Sequence, residues 1–128
     1  MTDELVSLRM VLATRLGEDQ DLFRQAASAL PVPIEFERVD GAAATAACIA
    51  AGSDLVYLDR SLPPAEMVQI VAAAGTAPAR PFTVLLGAQN GEAQPFVTDA
   101  LAIKPDSLEQ ARRLIERSIR SSVRSGSG

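Results

Sequence analysis

Asp59 and Lys104 are the two residues whose chemical types and positions could act together. Asp59 follows an apolar run in YLDRSLPP, and Lys104, the only lysine, follows a second apolar run in AIKPD. A carboxylate and an ammonium group at the ends of parallel strands lie where such sheets bind ligands. The alternatives are a turn or helix-cap role for Asp59 and an ordinary solvated side chain for Lys104.

The composition excludes several kinds of active site. The chain has 128 residues and no histidine, which removes histidine-based nucleophilic and acid–base catalysis and most zinc sites. Cys48 is the only cysteine, so a disulfide framework and a cysteine-cluster metal site are excluded, and a reducing cytoplasm is the expected location. We expect a binding module rather than an enzyme.

Strand and helix patterns alternate along the chain. Apolar or alternating runs predict five strands, at Met10–Ala13, Ile34–Val39, Asp54–Leu58, Phe82–Leu86 and Leu101–Ile103. Helical spacing with proline and glycine stops predicts helices at Leu22–Leu30, Gly41–Ala51, Pro63–Ala74 and Ser107–Ile119. The spacing in the last helix places Leu108 on its inward face. The segment from Gly87 to Asp99 leaves room for little more than a turn or two of helix.

This alternation predicts an α/β fold with a parallel sheet covered on both faces. We expect a doubly wound, flavodoxin-like sheet with strand order 2-1-3-4-5 and a shortened fourth helix. The ligand crevice of such a sheet lies beyond the carboxyl ends of its strands. The candidate crevice residues are Thr14, Arg15, Asp59 to Leu62, Leu86 to Ala88, Lys104 and Pro105.

The strand order, the LD-x-x-LP context of Asp59 and the position of Lys104 before Pro105 resemble the CheY-like receiver domain of two-component response regulators, over residues 9–120. In that family the aspartate after the third strand accepts a phosphoryl group, and the lysine after the fifth strand contacts it. The resemblance implies these roles for Asp59 and Lys104. It also implies a cytoplasmic bacterial protein of a phosphorelay.

Four pocket residues depart from the family pattern. Thr14 and Arg15 stand where receivers have the acidic pair that holds magnesium, and Leu86 with Gly87 stands where a hydroxyl residue binds a phosphoryl oxygen. We therefore expect no metal site or a very weak one, with Mg²⁺ as cofactor only if phosphorylation is retained. The segment PFTVLLG is similar to the PFxFATGY motif of an alphaproteobacterial receiver subgroup, with Leu85 and Leu86 replacing its Ala-Thr pair.

Arg15 has two interpretations. Its guanidinium either pairs with Asp59 and supplies positive charge permanently in the metal position, or it points into solvent. Glu18 and Asp19 either replace the missing acids or, as we favour, stabilise a helix start through its dipole. Tyr57 lies within a buried strand and is expected to pack in the core.

Three functions remain open, and we favour the first. It is a pseudo-receiver that signals through protein–protein interaction with impaired magnesium-dependent phosphorylation. The second is a working receiver that accepts a phosphoryl group on Asp59. The third is a pocket for a small anionic or nucleotide effector bound by Arg15, Lys104 or Arg80, although no glycine-rich phosphate motif supports it.

The expected partner is a protein, such as a histidine kinase, a phosphotransferase or an output domain. The last helix is rich in arginine with Glu116 as its counter-charge, which favours an acidic protein surface. The arginines are Arg112, Arg113, Arg117, Arg120 and Arg124. The alternative is a homodimer through the surface that runs from the short fourth helix expected between Gly87 and Asp99 to the last helix.

The charge and hydropathy patterns also limit other partners. The formal net charge of −4 argues against direct nucleic-acid binding, and no apolar run reaches the length of a membrane span. The acidic residues near the start do not resemble a signal peptide. We expect an N-terminal extension at residues 1–8, the receiver-like domain at 9–120 and a flexible tail or linker from 121 to 128.

Overall fold

A computed structural model describes residues 7–15, 20–78, 80–87 and 98–126. Its strands are β1 (Leu8–Ala13), β2 (Ile34–Val39), β3 (Leu55–Asp59), β4 (Phe82–Leu86) and β5 (Ala100–Ala102). Its helices are α1 (Gln20–Ser28), α2 (Ala42–Gly52), α3 (Pro64–Thr76) and α4 (Leu108–Gly126). Up to β4, strands and helices alternate in the predicted order. Most of the segment between β4 and β5, where a short helix was expected, lies outside the described residues.

All five strands pair in parallel, in the order β2-β1-β3-β4-β5. This confirms the predicted α/β, flavodoxin-like fold. The strand order reverses at β1 and β3, so the crevice of the fold lies beyond their carboxyl ends. Asp59 pairs in register with Leu86, and Leu86 with Ala102, which makes the ends of β3, β4 and β5 neighbours.

Two helices and a hydrophobic core cover each face of the sheet. On the face of α1 and α4, Phe23, Tyr57 and Ile115 are fully buried. On the face of α2 and α3, Ile49 and Ile70 are buried against the strands. β3 and β4 are buried along their whole length, whereas β2 has the partly exposed pattern predicted for an edge strand.

Three details of the last two elements differ from the prediction. β5 ends at Ala102, one residue before the end of the predicted LAI strand, so Ile103 lies outside the sheet and is 85% exposed. α4 continues to Gly126 because no proline stops it, so the expected flexible tail is helical from residue 121 to there. Leu108 was expected to face the core, but it begins the helix and is largely exposed.

Two aspartates extend the sheet at the amino ends of its strands, here called the amino edge. Asp54 accepts a hydrogen bond from the backbone N–H of Arg9 at 2.8 Å. Asp99 accepts one from the backbone N–H of Thr83 at 2.8 Å and one from the Thr83 hydroxyl at 3.1 Å. Each carboxylate takes the place of a strand carbonyl and satisfies a backbone donor.

Candidate functional site

Asp59 ends β3 at the opposite side of the sheet, here called the carboxyl edge, and its side chain is enclosed. The residue is 3% exposed. Thr14 Oγ1 donates a hydrogen bond to Asp59 Oδ2 at 2.8 Å, and Lys104 Nζ lies 3.4 Å from Asp59 Oδ1. The structure thus brings together the aspartate and the lysine that the sequence pattern singled out, and each carboxylate oxygen has its own partner.

Thr14 joins Asp59 to a longer chain of hydrogen bonds. Thr14 is 1% exposed, and its hydroxyl oxygen lies 3.1 Å from Ser61 Oγ. The backbone N–H of Arg15 donates to Ser61 Oγ at 3.0 Å. Because Thr14 gives its proton to the carboxylate, Ser61 must donate to Thr14. Three hydrogen bonds therefore run in one direction from Arg15 N–H to Asp59, an arrangement in which each bond polarises the next.

The side chain of Arg15 turns away from Asp59. Its Nη2 lies 2.9 Å from Glu66 Oε2 and its Nε 3.8 Å from Asp40 Oδ1, with half of the side chain exposed. The interpretation that Arg15 pairs with Asp59 in the metal position is therefore wrong. The alternative, that Arg15 points into solvent, holds for the exposed half of the side chain. Asp40 follows β2 and Glu66 lies in the first turn of α3, so two carboxylates outside the pocket attract the guanidinium.

Arg38 adds a positive charge to the carboxyl edge. Its Nη2 donates to the backbone carbonyl of Thr14 at 3.3 Å and to that of Arg15 at 3.2 Å. Nothing in the sequence pattern marks Arg38 for this position, because a charged residue on an edge strand looks like a solvated one. Only the pairing of β2 with β1 brings its guanidinium over the end of β1.

The described side chains around Asp59 do not fit a magnesium ion. Mg²⁺ takes hard oxygen ligands in near-octahedral geometry, usually carboxylates together with water and phosphate. Here the two oxygens of Asp59 already contact Thr14 and Lys104. Across the described ranges, no three or more acidic, cysteine or histidine side chains form a group that could hold a metal ion. The charge of Asp59 is balanced by a lysine of the protein itself.

The end of β4 offers Asp59 no hydroxyl group. Leu86 is fully buried in the core on the α4 face. Gly87 follows with a φ of 81°, which glycine adopts without strain. Arg60 lies across Gly87, and its Nη1 donates to the Gly87 carbonyl at 3.1 Å. Arg60 was among the candidate crevice residues without an assigned role, and this contact connects it to the end of β4.

The remaining candidates lie elsewhere. Arg80 is at the amino edge, 3.4 Å from Asp99, so it does not share a pocket with Asp59. Tyr57 is fully buried, as predicted for core packing, and burial raises the pKa of its phenol. The candidates outside the described residues are Glu18, Asp19 and Ala88.

Cys48 lies on α2 beside an open groove of about 360 Å³ between that helix, the first half of β1 and the middle of β2. Small side chains such as Ala47 and Ala51 leave this space. Desolvation by burial and the nearby carboxylate of Glu37 raise the pKa of the Cys48 thiol. The thiol therefore stays protonated and poorly nucleophilic near neutral pH.

A second surface, here called the β5–α4 surface, lies next to Lys104. Leu101 is 66% exposed and Ile103 85%. Both line an open groove of about 470 Å³, together with Arg113 and Arg117 on α4. An exposed apolar strip with arginines beside it is typical of a protein-binding surface.

The charges on α4 are more balanced than the sequence pattern indicated. Glu109 lies 2.9 Å from both Arg112 and Arg113, and its pKa is lowered mainly by the hydrogen bond from Arg112. Glu116 pairs with Arg112 at 3.4 Å. Within the described residues Arg117 forms no ion pair, so it provides the positive charge available on the β5–α4 surface.

Comparisons with known proteins bear on the fold. No protein-family model matches the chain, and no curated protein matches it. The crystal structure of the lysine decarboxylase LdcF of Francisella novicida superposes with a TM-score of 0.57 and 12% identity over 93% of this chain, which spans 18% of that enzyme. A putative lipoprotein fragment from Peptoclostridium difficile 630 gives a TM-score of 0.49 and 15% identity, over 88% of this chain and 98% of that one. At these identities the likeness concerns the fold alone.

No helix in the described ranges combines the length and the apolar character needed to cross a bilayer.

Proposed function

We propose that the chain is an atypical receiver domain of bacterial two-component signalling, a pseudo-receiver that acts in the cytoplasm through protein–protein interaction. The observation that supports this most is the enclosure of Asp59 between Thr14 and Lys104. An aspartate and a lysine meet at the crevice of a flavodoxin-like sheet, as the receiver resemblance requires, but the carboxylate is already neutralised. The domain then signals by its surface rather than by a phosphoryl group.

Phosphoryl transfer to Asp59 would meet two obstacles. An attacking carboxylate oxygen must reach the donor in line, whereas Asp59 is 3% exposed and its Oδ2 accepts the Thr14 hydroxyl. The transferred group also needs cations around its equatorial oxygens. Lys104 lies close enough to Asp59 to supply one such cation, but within the described residues the pocket has neither an acidic pair that would hold a metal nor a hydroxyl at Leu86. We therefore expect magnesium-dependent phosphorylation to be impaired.

The working receiver is the second candidate. It is favoured by the contact between Lys104 and Asp59, with the lysine side chain one third exposed. The small-effector pocket has less support, because Arg80 lies at the amino edge with Asp99 and Arg15 is held by Glu66.

Incubation with acetyl phosphate and magnesium, followed by intact-mass measurement, tests the proposal. The expected result is an unchanged mass under conditions that phosphorylate an ordinary receiver with a complete acidic pair. Asp59→Asn is the matched control. A phosphoryl adduct that forms on the wild type and is absent from Asp59→Asn would show a working receiver and overturn the pseudo-receiver. A magnesium titration followed by NMR should show no saturation at low millimolar metal.

The proposed partner is a protein with an acidic surface, such as a histidine kinase, a phosphotransferase or an output domain. Arg117 and the exposed Leu101 and Ile103 fit an acidic surface with apolar side chains. Arg117→Glu should weaken binding of such a partner, whereas Asp59→Asn should leave it nearly unchanged. Sedimentation of the wild type and of Ile103→Asp tests the homodimer: an association that Ile103→Asp abolishes would make a second copy the partner.

A further inference from the structure

Arg60 closes a ring of contacts that joins the ends of three strands. Its guanidinium donates to the Gly87 carbonyl, after β4, at 3.1 Å. The Gly87 N–H in turn donates to the carbonyl of Ala102, the last residue of β5, at 2.9 Å. Two residues later Lys104 returns to Asp59 at 3.4 Å, and Asp59 precedes Arg60 in the chain. These contacts, here called the strand-end ring, connect the pocket to the exposed end of β5.

Two contacts of the strand-end ring differ in whether they depend on the charge of Asp59. The link between Lys104 and Asp59 depends on the charge of Asp59, so any change that neutralises this carboxylate weakens it. The link between Arg60 and Gly87 joins a guanidinium, which stays charged at all physiological pH values, to a backbone carbonyl. It therefore persists whatever the state of Asp59.

Gly87 is shaped for this contact. A Cβ at this position would lie 3.5 Å from Arg60 Cδ and 3.6 Å from Arg60 Cγ, and the φ of 81° disfavours other residues. The aliphatic part of Arg60 thus lies flat against the glycine while the guanidinium reaches the carbonyl. Packing and hydrogen bonding act together at this single point.

We infer that Arg60 is a positioning residue that fixes the end of β5, and with it the exposed Ile103, independently of the state of Asp59. This deepens the proposed function, since a pseudo-receiver needs a binding surface that keeps one conformation without a chemical switch. Leu86 offers no hydroxyl through which the pocket could move β4. The arginine contact is constitutive instead, and it holds the β5–α4 surface in its binding form.

Amide hydrogen exchange by NMR tests the role of Arg60. Arg60→Met keeps an apolar stem against Gly87 and removes the donors. Arg120→Met is the matched control, at an exposed arginine of α4 that lies beside Leu30 and Pro31 instead of on the β5–α4 surface. We expect exchange of the Gly87 amide to rise about tenfold in Arg60→Met, as for a local opening, and to stay unchanged in the control. The Val56 amide in the central strand β3 should exchange equally slowly in both variants.

Two results would overturn the inference. One is Gly87 exchange in Arg60→Met within twofold of the Arg120→Met control. The other is a rise shared by Val56, because that pattern reports global destabilisation. A second measurement is the Ile103 amide shift: Asp59→Asn alone should leave it near its wild-type value, and Asp59→Asn with Arg60→Met should move it. These NMR measurements contain no phosphoryl donor. They can therefore contradict the role of Arg60 while the mass measurement still supports the pseudo-receiver, and the reverse is also possible.

Discussion

Aspartates lie at both edges of the sheet, and their carboxylates receive hydrogen bonds from different kinds of donor. At the amino edge Asp54 and Asp99 accept backbone N–H groups of Arg9 and Thr83. At the carboxyl edge Asp59 has only side-chain partners among the described residues, the Thr14 hydroxyl and the Lys104 ammonium group. The first two carboxylates accept backbone hydrogen bonds as a strand carbonyl would, and the third is held by side-chain groups that can move.

The kind of donor distinguishes a carboxylate that holds the backbone in place from a carboxylate that belongs to the candidate functional site. A backbone N–H that loses its acceptor cannot turn elsewhere without moving the strand, so its loss is felt as lost stability. A hydroxyl or a partly exposed ammonium group can rotate toward another acceptor or toward water. Substitutions at the amino edge should therefore lower stability more than substitutions in the pocket, although the pocket carboxylate is the more buried one.

The largest effect is expected for Asp99→Ala. It leaves the Thr83 N–H and hydroxyl without their acceptor and removes a hydrogen bond to a charged group, which should lower the free energy of unfolding by about 2–3 kcal/mol. Urea denaturation followed by circular dichroism measures this. Asp106→Ala, at an exposed position before α4, is the control. A loss no greater than in the control would remove the structural role assigned to the amino edge.

Thr14→Val should have the next largest effect. The two side chains have similar shapes, so the variant removes the donor to Asp59 Oδ2 without opening a cavity. A buried acceptor without a partner should lower the free energy of unfolding by about 1–2 kcal/mol. Thr76→Val, where the hydroxyl is exposed on α3, is the control in the same denaturation experiment. Equal losses in both variants would mean that water replaces Thr14 at the carboxylate.

The alternation of strand and helix patterns along the chain was sufficient to predict the fold. The continuous apolar runs of β3 and β4 indicated strands buried on both faces, and β2 with its glutamates indicated an edge. The strand order followed because a parallel sheet with right-handed crossovers allows few alternatives. The boundaries near β5 were less predictable, because a three-residue strand leaves little pattern to read.

The pocket was predictable in its strand-end positions and not in its side-chain directions. Asp59 and Lys104 could be placed together because both follow strands at the same edge. The direction of Arg15 could not be predicted, because its partners Asp40 and Glu66 are distant in sequence and meet it only in the folded chain. The contacts of Arg38 and Arg60 with backbone carbonyls also depend on the folded chain, since any residue type supplies a carbonyl.

Asp59→Asn should change stability by less than Asp99→Asn. At Asp59 the amide oxygen can still accept the Thr14 hydroxyl, Lys104 can turn to solvent, and no charge remains buried. We expect a change within about 1 kcal/mol in the free energy of unfolding. At Asp99 both Thr83 donors already bond one oxygen, Oδ2. An asparagine oxygen can keep these two bonds only without the negative charge that strengthens them. Its NH2 group would also face Arg80 in place of Oδ1, so the loss should be larger. The reverse order in urea denaturation would contradict the distinction between the two edges.

Arg15 gives the smallest expected effect. Its pairs with Glu66 and Asp40 are half exposed, so Arg15→Ala should lower the free energy of unfolding by about 0.5 kcal/mol at low salt, and by less at high salt because ions screen the pairs. Arg24→Ala, another half-exposed arginine paired with an aspartate, is the matched control.

Arg15→Asp tests whether the side chain of residue 15 lies in the metal position beside Asp59. If Arg15 occupied the metal position, this substitution would add a carboxylate beside Asp59 and raise the affinity for magnesium. Because the side chain points toward Glu66 and Asp40 instead, the new carboxylate should lie with two others outside the pocket. The variant should be less stable than Arg15→Ala at low salt, since like charges repel. A magnesium titration followed by NMR should leave the Asp59 signals as insensitive as in the wild type. Saturable shifts at Asp59 in this variant alone would mean that residue 15 reaches the pocket, and that the absence of a carboxylate there is what keeps the metal out.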